Sequence, residues 1–251
     1  MSAILTPPAP TAPVAPPVPA APIPPQARTM PIMLNGRLPV TIPASVVDHD
    51  SYRAWARSDD YPEKLRTHWI DGALWVDTDM EQLYTHNRIK NVFCSVLMPL
   101  ADRLGTGEYA GDGMLLTLRD PALTTGPDGL FVLHASRRSG RIALVPNARG
   151  IGCVELEGTP DMVLEAVSDS SVAKDTVRLE AACLQAGVQE YWRVDARAGR
   201  LDFVILRNDG TAWQPCPTPD GWQRSALFGH DFRLRQGTNP FGDPLWFLDV
   251  R

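Results

Sequence analysis

The segment GTPDMVLEAVS, residues 158–168, decides the fold and carries the sharpest chemical signal in the sequence. As a β-strand it would place Asp161, Val163, Glu165 and Val167 on one face, because successive side chains of a strand point to opposite faces. A glutamate in the middle of an apolar strand is costly to bury without a partner. A bound cation would supply that partner, since carboxylates are natural ligands of Mg²⁺. An edge strand with Glu165 in water, or a salt bridge to an arginine, explains the segment equally well.

A second carboxylate, Asp128, stands at the mouth of another predicted strand. Pro127 and Asp128 precede the apolar run GLFVL, residues 129–133. Gly-Pro-Asp-Gly is also ordinary turn chemistry, so this pair on its own favours a plain turn. Asp128 becomes informative only if its strand lies beside the strand that carries Glu165.

The remaining pattern predicts an α/β protein with a mixed sheet, because helices and strands alternate along the chain. Apolar residues at three- and four-residue steps predict helices over residues 80–104 and 172–186, with Gly187 closing the second in a left-handed conformation. A shorter helix is expected within residues 45–64. Strands are predicted at 69–76 (a hairpin turned by Asp71-Gly72), 114–119, 129–134, 161–168, 191–196 and 201–207, with two further short strands between 213 and 250.

Composition limits the classes of function. Of the 251 residues, 44% are hydrophobic, and 24 basic against 29 acidic residues give a net charge of −5. That charge counts mildly against nucleic acid, because phosphate binding normally leaves a basic footprint, although a local basic groove is compatible with an acidic total. The sequence has neither a run of about 18 apolar residues nor a basic start followed by an apolar core. We therefore expect a cytoplasmic protein without a membrane segment or signal peptide.

The chain divides at about residue 28. Residues 1–28 are almost wholly Pro, Ala and Val, a composition that predicts a disordered, extended leader. Residues 29–251 are expected to form one domain. Its four cysteines are far apart, which argues against a zinc ribbon and suits a reducing compartment.

Three motifs together resemble a known family. Pro127-Asp128, PDMVLEAVSDSS (160–171) and QAGVQEYWRVDA (185–196) are similar to the restriction endonuclease family of the Uma-two type, within the PD-(D/E)XK nuclease superfamily. The resemblance extends over roughly residues 67–251. It implies an α/β, restriction endonuclease-like core, in which helices flank a mixed central sheet with extra antiparallel strands.

The resemblance also implies a divalent-metal site. Asp128 and Glu165 match the two acidic positions and would bind Mg²⁺ or Mn²⁺ as catalytic metal ligands. The superfamily usually has a lysine two residues after the second acid, where this chain has Val167. The Uma-two type commonly carries that lysine on the next helix, where this chain has Leu179. Lys174, earlier on the same helix, is the predicted catalytic replacement, although a solvated lysine in the first helical turn fits the sequence equally well.

Other side chains are weaker candidates. His86 lies on the apolar side of its helix and would either line the active site or be a hydrogen-bonded core histidine. Asp161 would either contact the groups that bind the metal, without binding it directly, or cap the start of its strand. Four arginines of one loop would either contact phosphate or face solvent: Arg137, Arg138, Arg141 and Arg149.

The leading functional hypothesis is a metal-dependent endonuclease that hydrolyses phosphodiester bonds in DNA through Asp128, Glu165 and Lys174. A catalytically inactive nucleic-acid-binding or assembly module with the same fold is the alternative, because both expected lysine positions are apolar. A hydrolase of small phosphoesters is a third hypothesis, which the acidic net charge would tolerate better. A homodimer is compatible with cleavage of both strands, although no stretch of the sequence requires one.

Overall fold

The computed structural model describes residues 30–34, 38–62, 65–77, 82–168, 172 and 174–251, with side chains from Thr41 onward. The predicted leader, residues 1–28, lies outside the described residues. So do residues 80–81 at the start of the first long predicted helix, and residues 169–171 and 173 next to the second.

Helices are few and mostly short. The α-helices are α1 (His49–Ala56), α2 (Arg88–Leu104), α3 (His134–Arg138) and α4 (Leu179–Gln185). Two π-helical turns, Leu83–Asn87 and Lys174–Arg178, lead directly into α2 and α4, and two 3₁₀ turns lie at Arg197–Gly199 and Pro219–Gly221. None of the described helices is long and apolar enough to cross a membrane.

Strands form most of the described structure. In chain order they are β1 (Met30–Leu34), β2 (Leu38–Ile42), β3 (Arg66–Ile70), β4 (Ala73–Asp77), β5 (Gly107–Gly111), β6 (Leu115–Leu118), β7 (Leu123–Thr125), β8 (Gly129–Leu133), β9 (Ile142–Pro146), β10 (Cys153–Gly158), β11 (Met162–Ala166), β12 (Glu190–Asp195), β13 (Asp202–Asn208), β14 (Trp213–Pro215), β15 (Pro217–Thr218), β16 (Trp222–Ser225), β17 (His230–Thr238) and β18 (Pro244–Val250).

Two mixed six-stranded sheets dominate the described fold. One has the order β14-β13-β12-β11-β8-β5, in which β11 pairs parallel with β12 and antiparallel with β8. The other has the order β4-β3-β7-β6-β10-β9, with β6 and β10 parallel. A β1-β2 hairpin and an antiparallel sheet, β15-β16-β17-β18, complete the arrangement. The predicted α/β class with a mixed sheet and extra antiparallel strands is confirmed.

The sheet that contains β11 is buried on both faces. Leu164 and Trp192 pack with the apolar face of α2, whereas Val163 and Tyr191 pack with α4 and with residues of the second sheet. Burial on both faces explains why β11 is apolar except for Glu165. It also places Glu165, which shares the face of Val163, between the two sheets and not in bulk water.

The QEYW motif is structural. Glu190 is 1% exposed, and its two carboxylate oxygens accept four hydrogen bonds. The donors are Trp192 Nε1 at 2.9 Å, Ser225 Oγ at 2.7 Å, Ala226 N at 2.7 Å and Leu227 N at 3.2 Å. Glu190 therefore ties β12 to the turn that follows β16.

Several local predictions are confirmed. The β3-β4 hairpin turns at Asp71 and Gly72, which have φ values of 53° and 73° and so match a type I′ turn. Gly187 ends its helix at φ 79°. Helix α2 continues through Pro99 to Leu104, and its fully buried residues include Leu97.

Other local predictions are wrong. Five strands, not two, lie between Trp213 and Val250, and the sequence pattern missed β1, β2, β5, β7, β9, β10 and α3. Strand β10 illustrates the cause: its sequence CVELEG carries two glutamates, and Glu155 is buried because Arg53 Nε pairs with its Oε1 at 2.7 Å from 102 residues away.

Candidate active site

The two predicted acids meet where β8 begins and β11 ends. Gly129 lies opposite Leu164 in this antiparallel pair, so Asp128 is beside the last residues of β11. The main-chain N–H of Ala166 donates to Asp128 Oδ2 at 2.8 Å. The strand adjacency on which the pairing of Asp128 with Glu165 depended is therefore present.

A cavity of about 430 Å³ opens at this point between the two sheets. Asp128, Glu165, Lys174 and His86 all line it, together with other charged or polar residues: Arg66, Thr67, His68, Asp77, Asp112, Ser168 and Asp175. Five carboxylates but only two permanently cationic side chains are among these lining residues. The cavity therefore carries an excess of negative charge when its acids are ionised.

Asp128 is held in its ionised form. Burial by itself would raise the pKa of this carboxyl, but the neighbouring His86 and Lys90 and the Ala166 N–H outweigh burial and lower the pKa. His86 Nε2 lies 3.5 Å from Asp128 Oδ2, and Lys90 Nζ lies 3.6 Å from Oδ1. His86 thus lines the cavity, one of the two alternatives considered for it, and is also buried in contact with Asp128, which resembles the other alternative of a hydrogen-bonded core histidine.

Glu165 is in the opposite electrostatic situation. It is 2% exposed, and its Oε1 has no hydrogen-bond partner in the described part of the chain. Burial, reinforced by the negative charge of Asp175, raises the pKa of Glu165 well above its usual value, and the positive charge of Lys174 opposes that rise only in part. Glu165 is therefore a buried carboxylate that needs additional positive charge to ionise.

Lys174 belongs to the cavity and not to a solvated helix face. Its side chain is 12% exposed, and its Nζ lies 3.1 Å from Asp175 Oδ1. Burial would lower the pKa of Lys174, but Glu165 and Asp175 outweigh burial and raise it, so the ammonium stays charged. The positions where a lysine was expected, Val167 and Leu179, are 1% and 0% exposed, and Leu179 packs in the apolar core.

Comparison with known proteins identifies the family. A family model described as "Putative restriction endonuclease" matches residues 50–236. This chain belongs to the Uma2 family. The crystal structure of a putative nuclease belonging to DUF820 from Anabaena variabilis is similar, with a TM-score of 0.52 at 18% sequence identity over 73% of this chain and 91% of that chain. No curated protein matches the sequence. The predicted family and the restriction endonuclease-like fold are confirmed.

The cavity of this Uma2 protein fits a divalent cation. In the described ranges, no three His, Cys, Asp or Glu side chains are close enough to form a complete protein cage for a metal. Mg²⁺ does not need one, because it is usually held by one or two carboxylates and completes its shell with water and substrate phosphate. The unpartnered Glu165 Oε1 and the excess of carboxylates are the two features that a cation would satisfy.

Five charged residues of the site were missed from the sequence: Arg66, Asp77, Lys90, Asp112 and Asp175. Lys90 is 6% exposed and pairs with Asp112 at 2.7 Å. It lies four residues after His86 on the apolar face of its helix, and a lysine on such a face was a readable signal of a buried partner. Asp112 and Asp175 carried no comparable signal, because loops and first helical turns are ordinary places for aspartate.

Asp161 and the four arginines lie away from the cavity-lining residues. Asp161, just before β11, accepts hydrogen bonds from Leu133 N at 2.7 Å, Ser136 Oγ at 2.9 Å and Gln189 Nε2 at 2.6 Å, which favours the structural interpretation. Arg137 pairs with Glu108, Arg149 with Asp59, and Arg141 lies 3.6 Å from Asp161. Arg137 and Arg138 follow the end of β8 opposite Asp128, so they do not extend the acidic cavity.

Proposed function

We propose that this protein is a divalent-metal-dependent nuclease that hydrolyses phosphodiester bonds in DNA. The observation that carries the proposal is the buried, unpartnered carboxylate oxygen of Glu165, in one cavity with Asp128 and the charged Lys174. Membership of the Uma2 family, which is described as a restriction endonuclease family, supports the reaction class.

The two acids would hold Mg²⁺ or Mn²⁺. Asp128 is fixed in position by the Ala166 N–H and kept ionised by His86 and Lys90. Glu165 gains its missing partner when it becomes a ligand. When bound, the cation lowers the pKa of a coordinated water and offsets negative charge on the phosphate.

Lys174 would act on the substrate. The acids on either side keep its ammonium charged, and its burial keeps competing water away from that charge. It would donate to a phosphate oxygen and stabilise the charge that develops there. A phosphodiester brings its own negative charge to an acidic cavity, so the cation and Lys174 together are needed to offset it.

The alternative, an inactive nucleic-acid-binding or assembly module, rests on the apolar residues at positions 167 and 179. The absence of a lysine from both position 167 and position 179 is compatible with a site that has lost its catalytic activity. The charged Lys174 in the same cavity favours the enzyme instead, because its ammonium can take the place of the lysine expected at those positions.

The test is a calorimetric titration of Mn²⁺ into the wild-type protein and Asp128→Asn, with plasmid cleavage measured on the same samples. Asp77→Asn is the matched control, because it removes one negative charge from the same cavity without removing a proposed ligand. We expect Asp128→Asn to lose both binding and cleavage, and Asp77→Asn to keep both. Metal binding without cleavage in the wild type would support the inactive module, and a wild type that binds no Mn²⁺ would refute the proposal.

A further inference from the structure

His68 is a buried cavity residue to which the metal site assigns no role. It lies on β3, is 5% exposed and lines the same cavity as Asp128 and Lys174. Its Nδ1 is 2.9 Å from Thr125 Oγ1. Its Nε2 is buried and has no hydrogen-bond partner in the part of the chain that the structure describes. A buried polar atom without a partner is costly, and one on the wall of a cavity indicates a ligand.

The hydroxyl of Thr125 favours one tautomer of His68. Thr125 is 0% exposed, and its bond to His68 is the single hydrogen bond of this hydroxyl among the described residues. If Thr125 donates to Nδ1, its proton has an acceptor and the ring proton of the neutral imidazole is on Nε2; if Nδ1–H donates to Thr125, the buried hydroxyl proton has none among these residues. The first arrangement leaves fewer buried groups unsatisfied, and in it His68 presents an N–H donor to a ligand and not a metal-binding lone pair.

The surroundings of His68 keep this tautomer neutral and favour an anionic partner. Burial lowers the pKa of His68 to about 3, with further contributions from the positive charges of Lys174 and Arg66, which outweigh the opposing effect of Asp128. The ring is thus neutral at neutral pH. A partner that accepts from Nε2–H would also be attracted by the ammonium of Lys174.

We propose that His68 binds the substrate by donating its Nε2–H to a phosphate oxygen, beside the ammonium of Lys174. The inference deepens the proposed nuclease function and rests on it for the identity of the phosphate. His68 is a substrate-binding residue in this assignment, and the bond from Thr125 positions its ring.

Two isosteric substitutions separate binding from positioning. His68→Gln places an amide N–H near the position of Nε2 but loses the acceptor for Thr125. His68→Asn keeps an acceptor near the position of Nδ1 but loses the donor that faces the cavity. We expect His68→Asn to weaken binding of a fluorescein-labelled single-stranded DNA oligonucleotide about tenfold with Ca²⁺ as the cation, which is about 1.4 kcal/mol, and His68→Gln to weaken it less. Thermal stability should follow the reverse order, with His68→Gln the less stable variant.

A role confined to packing predicts a different result. Affinity would then follow stability, so His68→Gln would bind DNA more weakly than His68→Asn, or both equally. Either outcome overturns the inference, even if the wild type binds Mn²⁺ and cleaves DNA.

Imidazole ¹⁵N NMR of the wild-type protein tests the same bond without DNA. We expect a neutral His68 with its proton on Nε2, and a shift of that signal when dimethyl phosphate is added in the presence of Mg²⁺. A proton on Nδ1, or a signal that phosphate leaves unmoved, overturns the inference. A shift with dimethyl phosphate in a protein that neither binds nor cleaves DNA would support the phosphate contact and refute the proposed nuclease function.

Discussion

Replacing Glu190 by glutamine tests the interpretation of the QEYW motif as a structural hydrogen-bond centre. The substitution preserves shape and removes one acceptor oxygen. If the new amide NH₂ faces Ala226 N and Leu227 N, two main-chain donors lose their acceptor. If it faces Trp192 Nε1 and Ser225 Oγ, the oxygen of Ser225 can accept from the amide, and the donors that lose their acceptor are the fixed indole N–H and the Ser225 hydroxyl proton, which can rotate. The second arrangement is therefore the one that the variant should adopt.

The magnitude follows from the indole N–H, the one donor of fixed direction that this arrangement leaves without an acceptor. One buried donor without an acceptor costs about 1–3 kcal/mol, and 1 kcal/mol changes the Tm of a domain of this size by about 2–4 °C. Glu190→Gln should therefore lower the Tm by about 2–12 °C. Glu190→Ala removes the acceptor of all four donors and should cost about 4–5 kcal/mol, in the range seen when a buried network is broken.

The assay is thermal and urea unfolding of wild type, Glu190→Gln and Glu190→Ala, followed by a double-mutant cycle with Trp192→Phe. Because phenylalanine has no indole N–H, the cost of Glu190→Gln should largely disappear in the Trp192→Phe background. A glutamine penalty that is unchanged by Trp192→Phe, or equal to the alanine penalty, would refute the reasoning.

Three further predictions concern the cavity and the start of strand β8 beside it. In metal-free buffer the contribution of Glu165 to stability should fall as pH rises above the ordinary pKa of 4.5, because the folded state holds this proton more tightly, whereas His68 contributes the opposite slope below its ordinary pKa of 6.5; the melting temperature of the wild type should therefore fall relative to that of Glu165→Gln as pH rises, and equal slopes would contradict the assignment. Lys174→Ala should reduce the cleavage rate about 10²–10³-fold while Mn²⁺ binding is not weakened, as rate measurements and calorimetry on one sample would show; unchanged rates would remove Lys174 from the mechanism. Gly129→Ala should destabilise the fold by about 1–3 kcal/mol, because its Cβ would lie 2.3 Å from Tyr109 Oη, and urea unfolding should show partial recovery with Tyr109→Phe; no recovery would place the clash elsewhere.

The acidic pair was predictable because its signal is local. A proline-aspartate step before one apolar strand and a glutamate within another marked Asp128 and Glu165 as candidates, the family resemblance selected them, and antiparallel pairing of those strands brings the two segments together. The two faces of β11 were also predictable, since strand alternation requires no knowledge of the rest of the fold.

The remaining charges depend on contacts between distant segments. Lys174 was equally compatible with solvent, and its burial beside Asp175 became visible only in the structure. The prediction of the short strands failed for the same reason. Strand β10 is stabilised by an ion pair between Arg53 and Glu155, and these two residues are too far apart in the sequence for a local pattern to reveal it. Strand β17 alternates apolar and charged residues only from Phe232 to Arg235, and the rest of its length is set by continuous pairing with β18.

The hydrogen bond from Ala166 N to Asp128 has a consequence for mutational scanning. A scan replaces side chains, but this donor belongs to the main chain and is retained by every substitution at position 166 except proline, which lacks the N–H. In such a scan most substitutions of Asp128 would therefore be harmful. Substitutions of Ala166, whose N–H holds Asp128, would be limited only by the small space around this buried alanine. A proline at position 166 that is much more harmful than other residues of similar volume would reveal the contribution of this main-chain hydrogen bond.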